Sequence, residues 1–317
     1  MNILITEPKD YSLKALSIYK KTGKVFFFPE LKGGQRDSVL NSSEVLVVRL
    51  VHKINNEWFD KMPSLKMIAT PTTGLNHIDV QGAEKRGIKI ISLRGYIKFL
   101  KDIPSTAEET MALMLALVRN IPWAYEDVKK GRWDRDAWRG HQLIHKTLGL
   151  VGCGRLAKII AKYARAFGMN VLGYDPYVSK KDMERYGIKK IDLNTLLKMS
   201  DIISLHVLLT DKTHNLLKEK HFKIMKPSAY FINTARGEII KRDALYKALK
   251  NKWIKGAAID VMSEEDSKGR HLKKDPLVSY AKKNKNLIIV PHIGGATIEA
   301  MHATEEFVAE LVRKIFK

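Results

Sequence analysis

The stretch Thr147-Leu-Gly-Leu-Val-Gly-Cys-Gly-Arg-Leu-Ala157, running on to Val171-Leu-Gly-Tyr-Asp175, decides how the rest of the chain is read. An apolar run, Leu148 to Val151, ends in a glycine-rich turn. Leu156, Ile159, Ile160, Tyr163, Ala164 and Phe167 then recur at the three-and-four spacing of one helix face, and Gly168 stops it. A second apolar run closes on Asp175, so the order is strand, tight turn, helix, strand, acid. Each part serves one chemistry. Gly152 permits the sharp turn, and Gly154, with no side chain, lets a pyrophosphate approach the backbone. Arg155 and Leu156 open the helix, whose unpaired N–H groups and partial positive charge face the phosphates. Asp175 can accept hydrogen bonds from a ribose and repels the extra phosphate of NADP, so NAD is expected, although Lys180 and Lys181 act against that preference. Ala157 stands in for the third glycine. A glycine string alone also fits an ordinary strand–helix turn; both strands and the acid in register favour a dinucleotide site.

The chain has 317 residues, enough for two domains, with globular composition. No apolar run approaches the roughly 20 residues that span a membrane, so no membrane partner is expected. The start, Met-Asn-Ile-Leu-Ile-Thr-Glu, reads as a strand with no basic leader. The single Cys153 excludes an internal disulfide framework and fits a cytoplasmic protein. A net charge of +22 raises the question of nucleic acid. The surplus is scattered lysine, in pairs such as Lys20-Lys21, Lys129-Lys130 and Lys189-Lys190, without an arginine patch or interleaved aromatics. A solvated basic surface is the expectation, with attraction of an anionic substrate as the alternative. No metal is expected.

The first hundred residues alternate short apolar runs, at 2–6, 25–28, 45–49, 67–70 and 88–92, with helical patterns at 11–20 and 78–85. That alternation predicts a parallel sheet covered on both faces. Residues 104–120 predict a strong, buried helix capped by Ser105 or Thr106. The stretch from Trp123 to Ile144, with Trp133 and Trp138 among many charges, fits no regular core element and is read as an arm towards a partner subunit. Further strands are expected at 202–206, 230–233, 257–259 and 287–290, and a final amphipathic helix at 298–316 that packs back on the N-terminal domain.

Three of these strands deliver chemistry to the edge where ligands collect in open α/β sheets. Tyr230 to Asn233 runs into Thr234-Ala-Arg-Gly-Glu238, Ala257 to Ile259 into Asp260-Val-Met-Ser-Glu-Glu265, and Leu287 to Val290 into Pro291-His-Ile-Gly-Gly295. Arg236 offers planar, charge-assisted donors to a carboxylate and an adjacent carbonyl oxygen. His292 can take and return a hydroxyl proton, because imidazole titrates near neutrality. Glu265, if bonded to His292, orients the ring and stabilises imidazolium. Asp260 can accept from a nicotinamide carboxamide. Singly, each is compatible with a loop or surface role; the arrangement suits hydride transfer at a carbon next to a carboxylate.

These motifs, with Tyr174-Asp-Pro-Tyr177 and Thr73-Gly-Leu-Asn-His-Ile-Asp79, resemble the D-isomer-specific 2-hydroxyacid dehydrogenase family over essentially the whole chain. The resemblance implies an α/β protein of two doubly wound parallel-sheet domains. A Rossmann NAD-binding domain, residues 102–295, is inserted into a flavodoxin-like substrate-binding domain made of residues 1–101 and 296–317. It implies Arg236, Glu265 and His292 as the catalytic set, and backbone N–H groups at Thr73 and Gly74, with Arg236, as holders of the substrate carboxylate. It implies cofactor contacts at Thr106, Gly152, Gly154, Arg155, Leu156, Asp175, Val207, Thr234, Ala235, Asp260, Gly294 and Gly295. A homodimer built through the nucleotide domains, and a substrate that is a small 2-hydroxy or 2-keto acid bound between the domains, follow from the same likeness.

Within the family the chain is similar to phosphoglycerate dehydrogenases without their regulatory domain. It departs from the family pattern at Leu208, Met262 and Asp266, where proline, phenylalanine and proline are usual, and at Gln142, where glutamate is common. Arg49 and Lys53 are candidates to meet a phosphate or second carboxylate, or are simply exposed. Two rival readings stand: an NAD(H)-sensing corepressor-like protein with negligible turnover, and formate dehydrogenase, which has glutamine where Glu265 stands.

Overall fold

The computed structural model describes residues 1–266 and 268–316. The chain divides into two compact units, Met1–Ile103 with Ala296–Lys317, and Pro104–Gly295. The first boundary falls slightly later than the 101/102 expected from the sequence.

The first unit holds five strands, β1 (Asn2–Ile5), β2 (Lys24–Phe27), β3 (Val45–Val47), β4 (Met67–Ala69) and β5 (Lys89–Ile91). They pair in parallel in the order β2-β1-β3-β4-β5, the flavodoxin-like winding. Side chains alternate between two apolar layers, as a sheet covered on both faces requires. Ile3, Ile5, Val45, Val47, Met67 and Ala69 enter one, and Leu4, Leu46, Val48 and Ile68 the other. The last helix, Ile298–Ile315, belongs to this unit, as expected. Its Val308, Ala309 and Val312 share a core with Ala15, Ile18 and Tyr19 of the helix Leu13–Thr22.

Arg49 is not simply exposed. Its guanidinium pairs with Glu305 at 3.1 Å and donates to the carbonyls of Glu7 and Lys9, each at 2.7 Å. Glu305 is fully buried and also accepts the Ser12 N–H at 2.8 Å. Burial pushes the Glu305 carboxyl up, against the pull of the Ser12 N–H and Arg49. Removing one partner of a buried pair leaves the other charge uncompensated. Arg49→Met is therefore expected to destabilise the unit by about 3 kcal/mol. Denaturant unfolding measures this, and a midpoint equal to the parent's would mean that the pair contributes nothing.

The second unit holds β6 (Thr147–Val151), β7 (Asn170–Tyr174), β8 (Lys189–Lys190), β9 (Ile202–Leu205), β10 (Tyr230–Asn233), β11 (Gly256–Ile259) and β12 (Leu287–Ile289). All pair in parallel in the order β12-β11-β10-β9-β6-β7-β8. Strand order reverses between β6 and β9, which opens a crevice at their carboxyl ends. Leu148, Leu150, Ile202, Ile232 and Ala258 face one apolar layer, and Val151, Ile203, Leu205, Phe231, Ala257 and Ile259 the other.

Two expectations need correction here. The helix Ser105–Val118 has Pro104 as its cap residue, with no side-chain cap bond, so Ser105 and Thr106 lie inside its first turn. Residues 123–144 are not without regular structure: Ile121–Lys129 is a helix and Asp136–Trp138 a short 3-10 turn. Asp127 fixes this segment by accepting from Trp138 Nε1 at 3.1 Å and pairing with Arg132. Among the described residues, no helix is long and apolar enough to cross a membrane.

Candidate active site

The glycine turn follows β6 as the sequence requires. Gly152 has φ +91°, and a Cβ there would stand 2.7 Å from the His206 backbone, so only glycine makes this turn against β9. Gly154 is the opposite case. A Cβ on it would meet nothing within 4 Å, leaving open space in front of the helix Arg155–Ala166. That helix has no side-chain cap, which suits an anion at its positive end. Ala157 and Cys153 are fully buried in the core beneath. Burial and Asp175 push the Cys153 thiol up to about 12, which makes it inert.

Asp175 ends β7 and reaches back to the turn, accepting the Cys153 N–H at 2.9 Å through one oxygen and the Tyr177 N–H at 2.8 Å through the other. The second oxygen also accepts the Val178 N–H at 3.3 Å, so it is the oxygen bonded to Cys153 that keeps a lone pair for a ribose hydroxyl. Open space at Gly154, uncapped helix N–H groups and a retained acceptor at Asp175 together fit a dinucleotide. His206 and Val207 follow β9 against the turn. His206 Nε2 lies 2.8 Å from Ser204 Oγ, and burial pulls its pKa down to about 3, so it stays neutral.

The neighbouring strand ends carry the acid–base groups. His292 Nδ1 lies 2.6 Å from Glu265 Oε2, and the other oxygen of Glu265 accepts the Met262 N–H at 2.8 Å. Burial works to raise the Glu265 carboxyl, but the His292 bond and charge, the Met262 N–H and Arg236 outweigh it and hold it below its ordinary value. Asp266, where the family has proline, pairs in two-pronged fashion with Arg270 at 2.9 and 3.1 Å. Asp260 accepts the N–H groups of Ile293 and Gly294 at 2.6 and 2.8 Å, tying the end of β11 to the loop that carries His292. Burial raises the Asp260 carboxyl despite those two bonds.

Arg236 stands three residues past β10. Asn233, which sequence reasoning did not single out, shapes that loop: its amide donates to the Arg236 carbonyl at 2.9 Å and accepts the Ala235 N–H at 3.0 Å. Thr234 is buried, with its hydroxyl 2.9 Å from that of Thr110. Thr106 lies one turn before Thr110, beside Gly294. All of these residues sit at the carboxyl edge of one parallel sheet.

In the first unit, Thr73 and Gly74 form the loop after β4. Its carbonyls are occupied: Thr72 Oγ1 donates to Gly74 at 2.7 Å and Arg94 Nε to Thr73 at 3.2 Å. Among the described residues the N–H groups of Thr73 and Gly74 have no acceptor, as a carboxylate-binding loop requires.

Comparison with known proteins identifies the family. Residues 111–294 match the family model "D-isomer specific 2-hydroxyacid dehydrogenase, NAD binding domain". The chain is 37% identical over 318 residues to D-3-phosphoglycerate dehydrogenase of Methanocaldococcus jannaschii, covering 100% of this chain and 58% of that protein. It is 39% identical over 274 residues to glyoxylate reductase of Thermococcus litoralis, covering 84% of this chain and 78% of that one. The structure of D-lactate dehydrogenase from Aquifex aeolicus, complexed with NAD and lactic acid, superposes with a TM-score of 0.84 at 30% identity, covering 99% and 95% of the two chains. The chain belongs to the D-isomer specific 2-hydroxyacid dehydrogenase family. Its second unit is the family's NAD-binding Rossmann domain, and NAD is its cofactor.

Proposed function

We propose that the protein moves hydride between NAD and a small D-2-hydroxy acid or the matching 2-keto acid. The observation that carries this reading is the 2.6 Å bond between His292 and Glu265, formed at the same sheet edge as the dinucleotide turn and Arg236. With Nδ1 engaged by Glu265, Nε2 of His292 is left to hold the mobile proton. In reduction Nε2 gives that proton to the substrate oxygen, and in oxidation it takes the hydroxyl proton back. Glu265 stabilises the imidazolium between these states. Arg236 binds the carboxylate and polarises the carbonyl. Bound nicotinamide supplies or accepts the hydride.

The partner in this reading is a second copy of the chain. Ile121, Tyr125 and Val128 form an exposed stripe on the helix Ile121–Lys129, and Trp133 beyond it is 89% exposed. Such an apolar patch supports a homodimer through the nucleotide domains.

The test follows NADH absorbance against glyoxylate, hydroxypyruvate, its phosphate ester and pyruvate. Oxidation of NADH by at least one of these is expected. Cofactor binding without turnover on any keto acid would overturn the enzyme reading in favour of a sensor.

A further inference from the structure

The loop after β4 is held by a chain of side chains that can run in only one direction. Thr72 Oγ1 lies 2.7 Å from the Gly74 carbonyl oxygen, which can only accept, so the single hydroxyl proton of Thr72 is committed there. Thr70 Oγ1 lies 3.0 Å from Thr72 Oγ1 and must therefore be the donor of that pair. Its own proton is then committed in turn, and it accepts from His77 Nε2 at 3.3 Å. The Gly74 carbonyl thus fixes, through two threonines, which nitrogen of a buried histidine must carry a proton. The His77 backbone is anchored separately by Ile54, whose N–H donates to the His77 carbonyl at 2.7 Å and whose carbonyl accepts the Asp79 N–H at 2.8 Å. The chain runs from that fixed point to a loop at the carboxyl edge of the first unit's sheet, the edge where ligands collect. Thr70 and His77 are both buried, so a bond lost between them is costly.

We propose that His77 is a positioning residue for substrate binding: with a proton on Nε2 it sets the direction of the threonine chain, and so seats the Thr73–Gly74 backbone against the substrate carboxylate. This role rests on the reading of the protein as a 2-keto acid oxidoreductase whose Thr73–Gly74 loop meets that carboxylate; the proton position on His77 does not depend on it. His77 transfers no proton to the substrate. The carboxylate is the same anion before and after hydride transfer, so a loop that holds it favours ground and transition states equally. Its loss is read in KM rather than in kcat.

Nitrogen NMR of the full chain labelled in histidine, with the His77 ring assigned from its disappearance in His77→Gln, tests the first half. A protonated Nε2 is expected, and a bare Nε2 would overturn the proposal. Steady-state kinetics with NADH and whichever keto acid of the panel above turns over best test the second half. Thr72→Val removes the hydroxyl at nearly constant shape. It is expected to raise KM about tenfold, the scale of one lost hydrogen bond, with kcat within about twofold and NADH affinity unchanged. Thr72→Ser returns the hydroxyl and is expected to return KM. His77→Gln, whose amide nitrogen can donate where Nε2 does, is expected to keep most of the affinity that His77→Leu loses. Partial misfolding lowers apparent kcat and leaves KM alone, so it does not imitate this pattern. A KM unchanged in Thr72→Val, or as high in Thr72→Ser as in Thr72→Val, would overturn the proposal. A parent chain that reduces no keto acid would overturn the functional reading and the positioning role together, and is distinguishable from a parent that turns over while its Thr72 variants keep the parent's KM.

Discussion

Replacing His292 by alanine is expected to lower turnover by roughly 10²–10⁴-fold, the usual worth of a positioned acid–base group, with NADH affinity little changed. The structure separates the two effects. His292 meets the rest of the site through its ring bond to Glu265, whereas the dinucleotide turn depends on Gly152, Gly154 and Asp175 at other strand ends. Its backbone sits at φ +56°, a conformation that bulky residues adopt only where the surroundings enforce it. Here Asp260 enforces it, holding the next two N–H groups at 2.6 and 2.8 Å. Loss of the ring also leaves Glu265 without its main stabilising partner. Steady-state turnover of a keto acid with NADH, beside a separate NADH titration, checks both halves. A mutant with the parent's turnover would remove His292 from the mechanism.

How much of this was legible beforehand depends on how local the physics is. The glycine turn, β6 and β7 and the helix between them are specified by residues within one short stretch. Strand Tyr230–Asn233 was likewise readable, because its apolar run and its neighbours agree. The helix Gly33–Ser42 was not, since Gly-Gly-Gln-Arg-Asp-Ser carries no apolar period; it buries only Val39 and Leu40. The helix Ile121–Lys129 was missed because its apolar residues are exposed rather than turned to a core. Arg49 was misjudged for a different reason. Its partner Glu305 lies 256 residues away, on a helix that returns from the far end of the chain.

Arg236→Ala is expected to cut kcat/KM for a keto acid by about 10²-fold or more. The side chain is half-buried, and that burial pulls its pKa below the ordinary value, against Glu265, Glu238 and Asp260, which favour the charged form. A guanidinium stays charged throughout. A desolvated cation interacts more strongly with an incoming anion than an exposed one does. Two charge-assisted hydrogen bonds, to carboxylate and to carbonyl oxygen, at roughly 1.5–3 kcal/mol each, set the size of the loss at about a factor of ten per 1.4 kcal/mol. Arg236→Lys returns the charge without the planar fork and is expected to recover only part of it. NADH affinity should hold in both variants, since the helix Arg155–Ala166 and Asp175 are untouched. If kcat/KM stays at the parent's value in Arg236→Ala, the substrate carboxylate is held elsewhere.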